Sequence, residues 1–149
     1  RIAEHLDELV SLGALGRREP EVYGSQTLME IMVDVDRRGT ELGHSVRWHQ
    51  SDYEGELIGW LLGAAAEGVQ AVVLNPGALS HYSYALRDAV EASGLPVVEV
   101  HMSNIAARES FRHTSVVAGV ADGTIAGFGV ESYVLALHAL AGLVDGGSA

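Results

Sequence analysis

The sequence predicts an α/β domain built on a doubly wound parallel sheet, and two observations carry that prediction. Ala71-Val72-Val73-Leu74 and Pro96-Val97-Val98-Glu99-Val100 are short, β-branched runs closed by polar residues. That is the pattern of strands buried on both faces. Segments with apolar residues at helical spacing lie between the strand candidates, and such alternation builds βαβ units.

Taken in order, the first residues place Ile2, Leu6 and Leu9 at helical spacing, with Glu4, Asp7 and Glu8 between them. Three acids make a poor central strand, because buried charges are costly unless paired, so residues 1–10 stay open between strand and helix. Gly16 to Gly24 is rich in charge and turn formers and reads as a mobile loop. A helix is expected over Thr27 to Leu42, with Leu28, Ile31, Met32 and Val35 on one face and Gly43 as its stop. Ser45-Val46-Arg47-Trp48-His49 is a strand candidate. Glu54 to Ala66 is expected to be helical, carrying Leu57, Ile58, Leu61 and Leu62. The Asn75-Pro76-Gly77 turn follows the next strand, with Ser80 or His81 near the cap of a helix over Ser83 to Ala92. After the Val97–Val100 strand, Ser103-Asn104 reads as a helix start leading to Glu109. Thr124 to Phe128 is a last strand, Ser132 to Leu143 a last helix, and residues 146–149 a flexible tail.

A chain of 149 residues is one domain, here expected over residues 1–145. Apolar residues make up 48% and charged ones 19%, as in packed rather than disordered proteins. No apolar run approaches the roughly 20 residues that span a bilayer, and the start lacks a secretory core. The expectation is a cytoplasmic protein without a membrane partner. A net charge of −11 argues against nucleic acid, which needs a basic stripe, so an anionic substrate must be held by local donors. Cysteine is absent, which removes disulfides and thiolate chemistry. Lysine is absent too, with Arg supplying all nine basic side chains, which excludes a Schiff base on a side-chain amine.

Ligands of doubly wound sheets bind beyond the carboxyl ends of the strands, which points to Asn75-Pro76-Gly77-Ala78 and His101-Met102-Ser103-Asn104. Glu99 and His101 lie two apart and share a strand face. A carboxylate there fixes the imidazole tautomer and makes it a proton donor near neutral pH, although an ordinary strand-end ion pair fits the same spacing. His81 and Asn75 have bland readings as capping and turn residues, but both sit on the same sheet edge as His101. Arg18 and Tyr23 lie in the charged loop, either as a solvated connection or as a lid over the site. A guanidinium beside a phenol favours the phenolate, a usable base. Backbone N–H groups at Ser103-Asn104 suit a carboxylate, and Arg112 can add a bidentate contact. The remaining histidines lack metal-ligand spacing, and Gly127-Phe128-Gly129 is too short for a dinucleotide fingerprint.

Arg18-Glu19-Pro20-Glu21-Val22-Tyr23-Gly24, His49-Gln50-Ser51, Glu54-Gly55-Glu56-Leu57, Asn75-Pro76-Gly77, Ala85-Leu86-Arg87-Asp88-Ala89 and Glu99-Val100-His101 resemble the type II 3-dehydroquinases in order and spacing. Ser103-Asn104, Ala107-Arg108-Glu109, Phe111-Arg112-His113 and Ala121-Asp122-Gly123 extend the likeness, which covers about residues 12 to 144. The resemblance implies a flavodoxin-like fold and a homo-oligomer, a dodecamer of trimers. It also implies dehydration of 3-dehydroquinate to 3-dehydroshikimate through an enolate, without cofactor or metal. By the same resemblance, Tyr23 is the base, Arg18 keeps it ionised, and His101, oriented by Glu99, protonates the leaving hydroxyl. Asn75, His81 and Arg112 hold substrate oxygens, the N–H groups of Met102 and Ser103 hold the carboxylate, and Asp88 reaches a neighbouring subunit's site.

The chain departs from the family pattern where Asn-Gly-Pro-Asn closes the first strand. Glu8-Leu9-Val10-Ser11 stands there, leaving Ser11 as the donor to the enolate oxygen. Leu79, Tyr82, Tyr84, Ala106, Thr114 and Glu131-Ser132 also differ, and they are expected to cluster near the pocket. Two other functions follow from these changes. One is a related dehydratase or cyclase acting on a different, less polar hydroxy ketone. The other is an inactive oligomeric scaffold, against which the intact set of Tyr23, Arg18, Glu99 and His101 argues.

Overall fold

The computed structural model describes residues 7–13 and 27–146. The loop bearing Arg18 and Tyr23, and residues 147–149 of the expected tail, lie outside the described residues. The sheet has five strands: β1 (Asp7–Gly13), β2 (His44–Gln50), β3 (Val69–Asn75), β4 (Val97–His101) and β5 (Gly123–Ala126). Their spatial order is β2-β1-β3-β4-β5 and every pairing is parallel. This is the flavodoxin-like order of doubly wound folds.

The question left open at the chain start is settled for residues 7–13, which form a strand paired on both sides. Tertiary pairing overrides the helical spacing there. Without β1, the facing rows of N–H and C=O groups on β2 and β3 would have no partner, and buried backbone groups must be paired.

Among the described residues four helices cover the sheet: α1 (Leu28–Glu41), α2 (Glu54–Ala64), α3 (Tyr84–Ser93) and α4 (Glu131–Asp145). Alternation along β3 explains how the two layers divide. Ala71 and Val73 join Ile31 and Val35 of α1 and Tyr133, Leu137 and Leu140 of α4 in one core. Val72 and Leu74 join Leu57 and Leu61 of α2 and Leu86 and Val90 of α3 in the other. Thr27 caps α1 in a capping box, its hydroxyl accepting from the Glu30 N–H while the Glu30 carboxylate accepts from the Thr27 N–H.

Several sequence expectations are corrected. Leu62 does not join the α2 core face but is 54% exposed, because the helix is covered along a narrower stripe than its composition suggests. The α3 cap is Ser83, which accepts from the Leu86 N–H at 3.0 Å, while Ser80 and His81 belong to a separate 3-10 turn over Gly77–His81. No α-helix follows Ser103-Asn104: the chain makes only the short 3-10 turns Ile105–Ala107 and Ser110–His113. β5 stops at Ala126, because Gly127 turns left-handed at φ 100°.

The β3 end is built around two side-chain bonds. Asn75 Oδ1 accepts from the Gly77 N–H at 3.1 Å, and Gly77 holds φ 58°, where a Cβ is unfavourable. The Asn75 amide donates to the buried Tyr133 hydroxyl at 2.8 Å, tying α4 to the strand end. Tyr133→Phe removes that acceptor and is expected to destabilise the fold by about 1–3 kcal/mol. Urea unfolding at unchanged m-value is the check, and a stability within about 0.5 kcal/mol of the parent would show the bond to be idle.

Candidate active site

A cleft opens beyond the carboxyl ends of β3 and β4, lined by Asn75, Gly77, His81, His101, Met102, Ser103, Ile105, Arg108 and Arg112. The space between these residues, open solvent included, is about 270 Å³. Six of the residues singled out in the sequence meet here: Asn75, His81, His101, Met102, Ser103 and Arg112.

Glu99 lies behind His101 on the same strand, with no exposed surface. A carboxylate so buried needs partners. Its Oε1 accepts from the Ser115 hydroxyl at 2.7 Å, and its Oε2 approaches His101 Nε2 at 3.3 Å. The approach is within ion-pair reach but off the hydrogen-bond direction, so neither atom has a hydrogen-bond partner among the described residues. Contacts of this kind tighten once substrate occupies an acid–base site. With Nε2 turned to Glu99, Nδ1 is the ring nitrogen left for the cleft.

His81 Nδ1 lies 2.8 Å from the Thr114 carbonyl. A carbonyl only accepts, so Nδ1 carries the hydrogen and Nε2 remains for a ligand. The His81 ring stacks near-parallel to that of His101 at 6.2 Å and meets the Phe111 edge at 5.8 Å. Asn75 spends one amide N–H on Tyr133 and one oxygen lone pair on Gly77, leaving one donor and one acceptor.

Arg112 is held by Glu109 through Nε at 3.0 Å and Nη2 at 3.2 Å, and its guanidinium carbon lies 4.6 Å from the Phe111 ring centre. Two N–H groups are committed to Glu109, which leaves three of five for a ligand. The bonded Arg112 guanidinium holds the Glu109 carboxyl down at about 2, so the pair persists as ions at any ordinary assay pH. Arg108 Nη1 donates to the Ser103 hydroxyl at 3.3 Å. Met102 packs its side chain into the α1/α4 core, so it meets the cleft through its main chain.

The other predicted residues lie elsewhere. Asp88 is exposed on α3 and does not line this cleft. Ser11 pairs in register with Trp48 and Val73, two residues short of the strand end, where Gly13 sits beside Asn75. Arg18 and Tyr23 lie outside the described residues. Among the described residues no group of three or more His, Cys, Asp or Glu is placed to hold a metal ion.

The expected clustering of altered positions at the pocket is corrected. Tyr82 and Tyr84 are 62% and 70% exposed, Ala106 is exposed, and Leu79 packs against the α2/α3 core. None of the four lines the cleft. Thr114 serves the site through its carbonyl, which any residue supplies. Glu131 pairs with Arg38 at 3.4 Å, and the Ser132 hydroxyl accepts from the Phe128 N–H at 3.0 Å.

Sequence reasoning missed Ser115, Tyr133, Ile105 and Arg108 as parts of the site. Tyr133 had a signal: a phenol in an otherwise apolar helix face needs a polar partner when buried. Ser115 had none, since no periodicity links it to Glu99.

Comparison with known proteins agrees with this geometry. The family model Dehydroquinase class II matches residues 10–141. The chain is 52% identical to a 3-dehydroquinate dehydratase of Deinococcus radiodurans, over 91% of this chain and 94% of the relative. It is 54% identical to a Thermus thermophilus protein of the same name, over 92% of both chains. The crystal structure of type II dehydroquinase from Propionibacterium acnes superposes with a TM-score of 0.85 at 45% identity, covering 92% of this chain and 98% of that one. Fold and likeness along nearly the whole length agree, and the chain belongs to the type II dehydroquinase family.

Proposed function

We propose that this protein removes water from 3-dehydroquinate to give 3-dehydroshikimate, as a hydro-lyase of the shikimate pathway. The observation that carries the reading is the buried Glu99 placed behind a cleft-facing His101 in a member of this family. A histidine backed by a buried carboxylate is an effective proton donor to a departing hydroxyl. Asn75, His81 and Arg112 converge on the same space with unspent donors, as a polyhydroxylated acid requires. The main chain of Met102 and Ser103 suits its carboxylate, with no lysine needed.

In the proposed mechanism Tyr23, kept ionised by Arg18, takes the proton beside the ketone. Charge then develops on the ketone oxygen, where the family likeness assigns Ser11 as donor although β1 holds its main chain two residues short of the strand end. His101 protonates the hydroxyl as the C–O bond breaks, while Glu99 stabilises the imidazolium before transfer and fixes the ring. The reading of a different, less polar ketone rested on the altered Asn-Gly-Pro-Asn segment together with Leu79, Tyr82, Tyr84 and Ala106, and none of the last four lines the cleft.

Tyr23→Phe and His101→Ala are each expected to lower kcat on 3-dehydroquinate by about 10²–10⁴-fold without altering the circular dichroism spectrum. The enone absorbance of the product follows the reaction, and near-parental kcat in either variant removes that residue from its role. Ser11→Asn, with the longer amide donor, is expected to raise kcat, since one donor at a developing oxyanion is worth on the order of 10²–10³. An unchanged value takes Ser11 out of the site.

A trimer-based dodecamer in the cytoplasm completes the proposal. It is supported by Asp88, exposed on α3 beside the exposed Tyr84, where it can serve a neighbour's cleft. Light scattering should give a mass many times 15.7 kDa, and a monomer at micromolar concentration contradicts the assembly.

A further inference from the structure

Ser115 does two things with one oxygen. It donates its hydrogen to Glu99 Oε1 at 2.7 Å, and it accepts from the N–H groups of Val117 at 3.2 Å and Ala118 at 3.0 Å. The two backbone donors leave the hydroxyl hydrogen only one direction to point, toward the carboxylate. Ser115 itself does not line the cleft, and Glu99 has no exposed surface through which water could replace the bond.

We propose that Ser115 is a positioning residue for proton transfer, holding the Glu99 carboxylate aimed so that its other oxygen faces His101. The inference rests on the dehydratase reading above. A buried carboxylate oxygen that loses its donor bears the full desolvation cost, and the group then turns to find another. That turn weakens its hold on the imidazole. The basic side chains lining the same cleft, His81, Arg108 and Arg112, touch the ligand side and cannot take over from a donor at the back of Glu99.

Ser115→Ala is expected to lower kcat on 3-dehydroquinate by about 10- to 100-fold, as loss of an outer partner does for metal-bound histidines. KM should stay within about twofold, because no cleft-lining group is removed. Ser115→Thr, which keeps the hydroxyl, should restore kcat. In a Glu99→Gln background the alanine change should have little further effect, because residues acting in one chain are not additive. Equal losses in both backgrounds would show that Ser115 acts only through its bonds to the Val117 and Ala118 N–H groups, and would overturn the proposal. If the alanine variant does not fold, Ser115→Cys, a weaker donor of similar shape, takes its place in the same cycle.

A readout independent of turnover separates this inference from the functional one. The His101 ring resonances in proton–nitrogen spectra should shift in the Ala variant and return in the Thr variant. A parent protein that leaves 3-dehydroquinate unchanged sinks the dehydratase reading, whereas the ring resonances still decide whether Ser115 holds the pair. Normal kcat with unmoved His101 signals in Ser115→Ala sinks the positioning role alone.

Discussion

Glu99 is a carboxylate with no exposed surface, the middle residue of β4, paired in register with Leu74 and Thr124. Such a group is tolerated only when it is paired and hydrogen-bonded. Its partners, Ser115 and His101, come from the segment crossing above the strand end and from the strand itself. The bond to Ser115 is one of a run of anchors along three consecutive residues. The Thr114 carbonyl holds His81, the Val116 N–H donates to the Ser80 carbonyl at 2.7 Å, and the Val116 carbonyl accepts from Arg87 at 2.7 Å. Residues 114–116 therefore pin β4, the 77–81 turn and α3 to one another. The cleft geometry depends on that crossing, and the buried charge makes the crossing hard to shift.

The sheet explains why the chemistry gathers at one edge. A parallel sheet covered on both faces has no room for a ligand along its strands, so polar side chains belong at strand ends. Asn75 turns toward Tyr133 and the α1/α4 layer, while Glu99 shares its strand parity with Val97 of the α2/α3 core. Groups from opposite faces of adjacent strands thus converge only where the sheet stops. Gly77 allows the chain to turn back across β3 there, and the turn brings His81 beside His101.

The departures from the family pattern sort by location once the fold is known. Tyr82, Tyr84 and Ala106 point outward, and Leu79 faces the α2/α3 core. Glu131 and Ser132 serve the start of α4, one by an ion pair to α1 and the other by a bond to the preceding loop. Changes of this kind bear on surface and packing, and the cleft-lining set keeps its chemistry. An acidic chain without lysine still presents Arg108, Arg112 and His81 to an anion, since a cleft responds to near groups more than to net charge.

Local signals in the sequence determined the α/β class, the strands over Ala71 to Leu74 and Pro96 to Val100, and the shared face of Glu99 and His101. These follow from β-branched runs and from the two-residue period of a strand, which need only neighbours along the chain. The strand-end turns named Asn75 and His81 for the same reason. Tertiary structure alone decided that residues 7–13 pair as a central strand despite their acids, because the need of two neighbouring strands for backbone partners outweighs local preference. It also decided that Leu62 faces solvent, that Ser83 rather than Ser80 caps α3, and that Tyr82 and Tyr84 lie off the cleft. The Ser115–Glu99 and Asn75–Tyr133 bonds span 16 and 58 residues. Contacts that distant leave no periodic trace in a single sequence, and only the folded backbone brings their partners together.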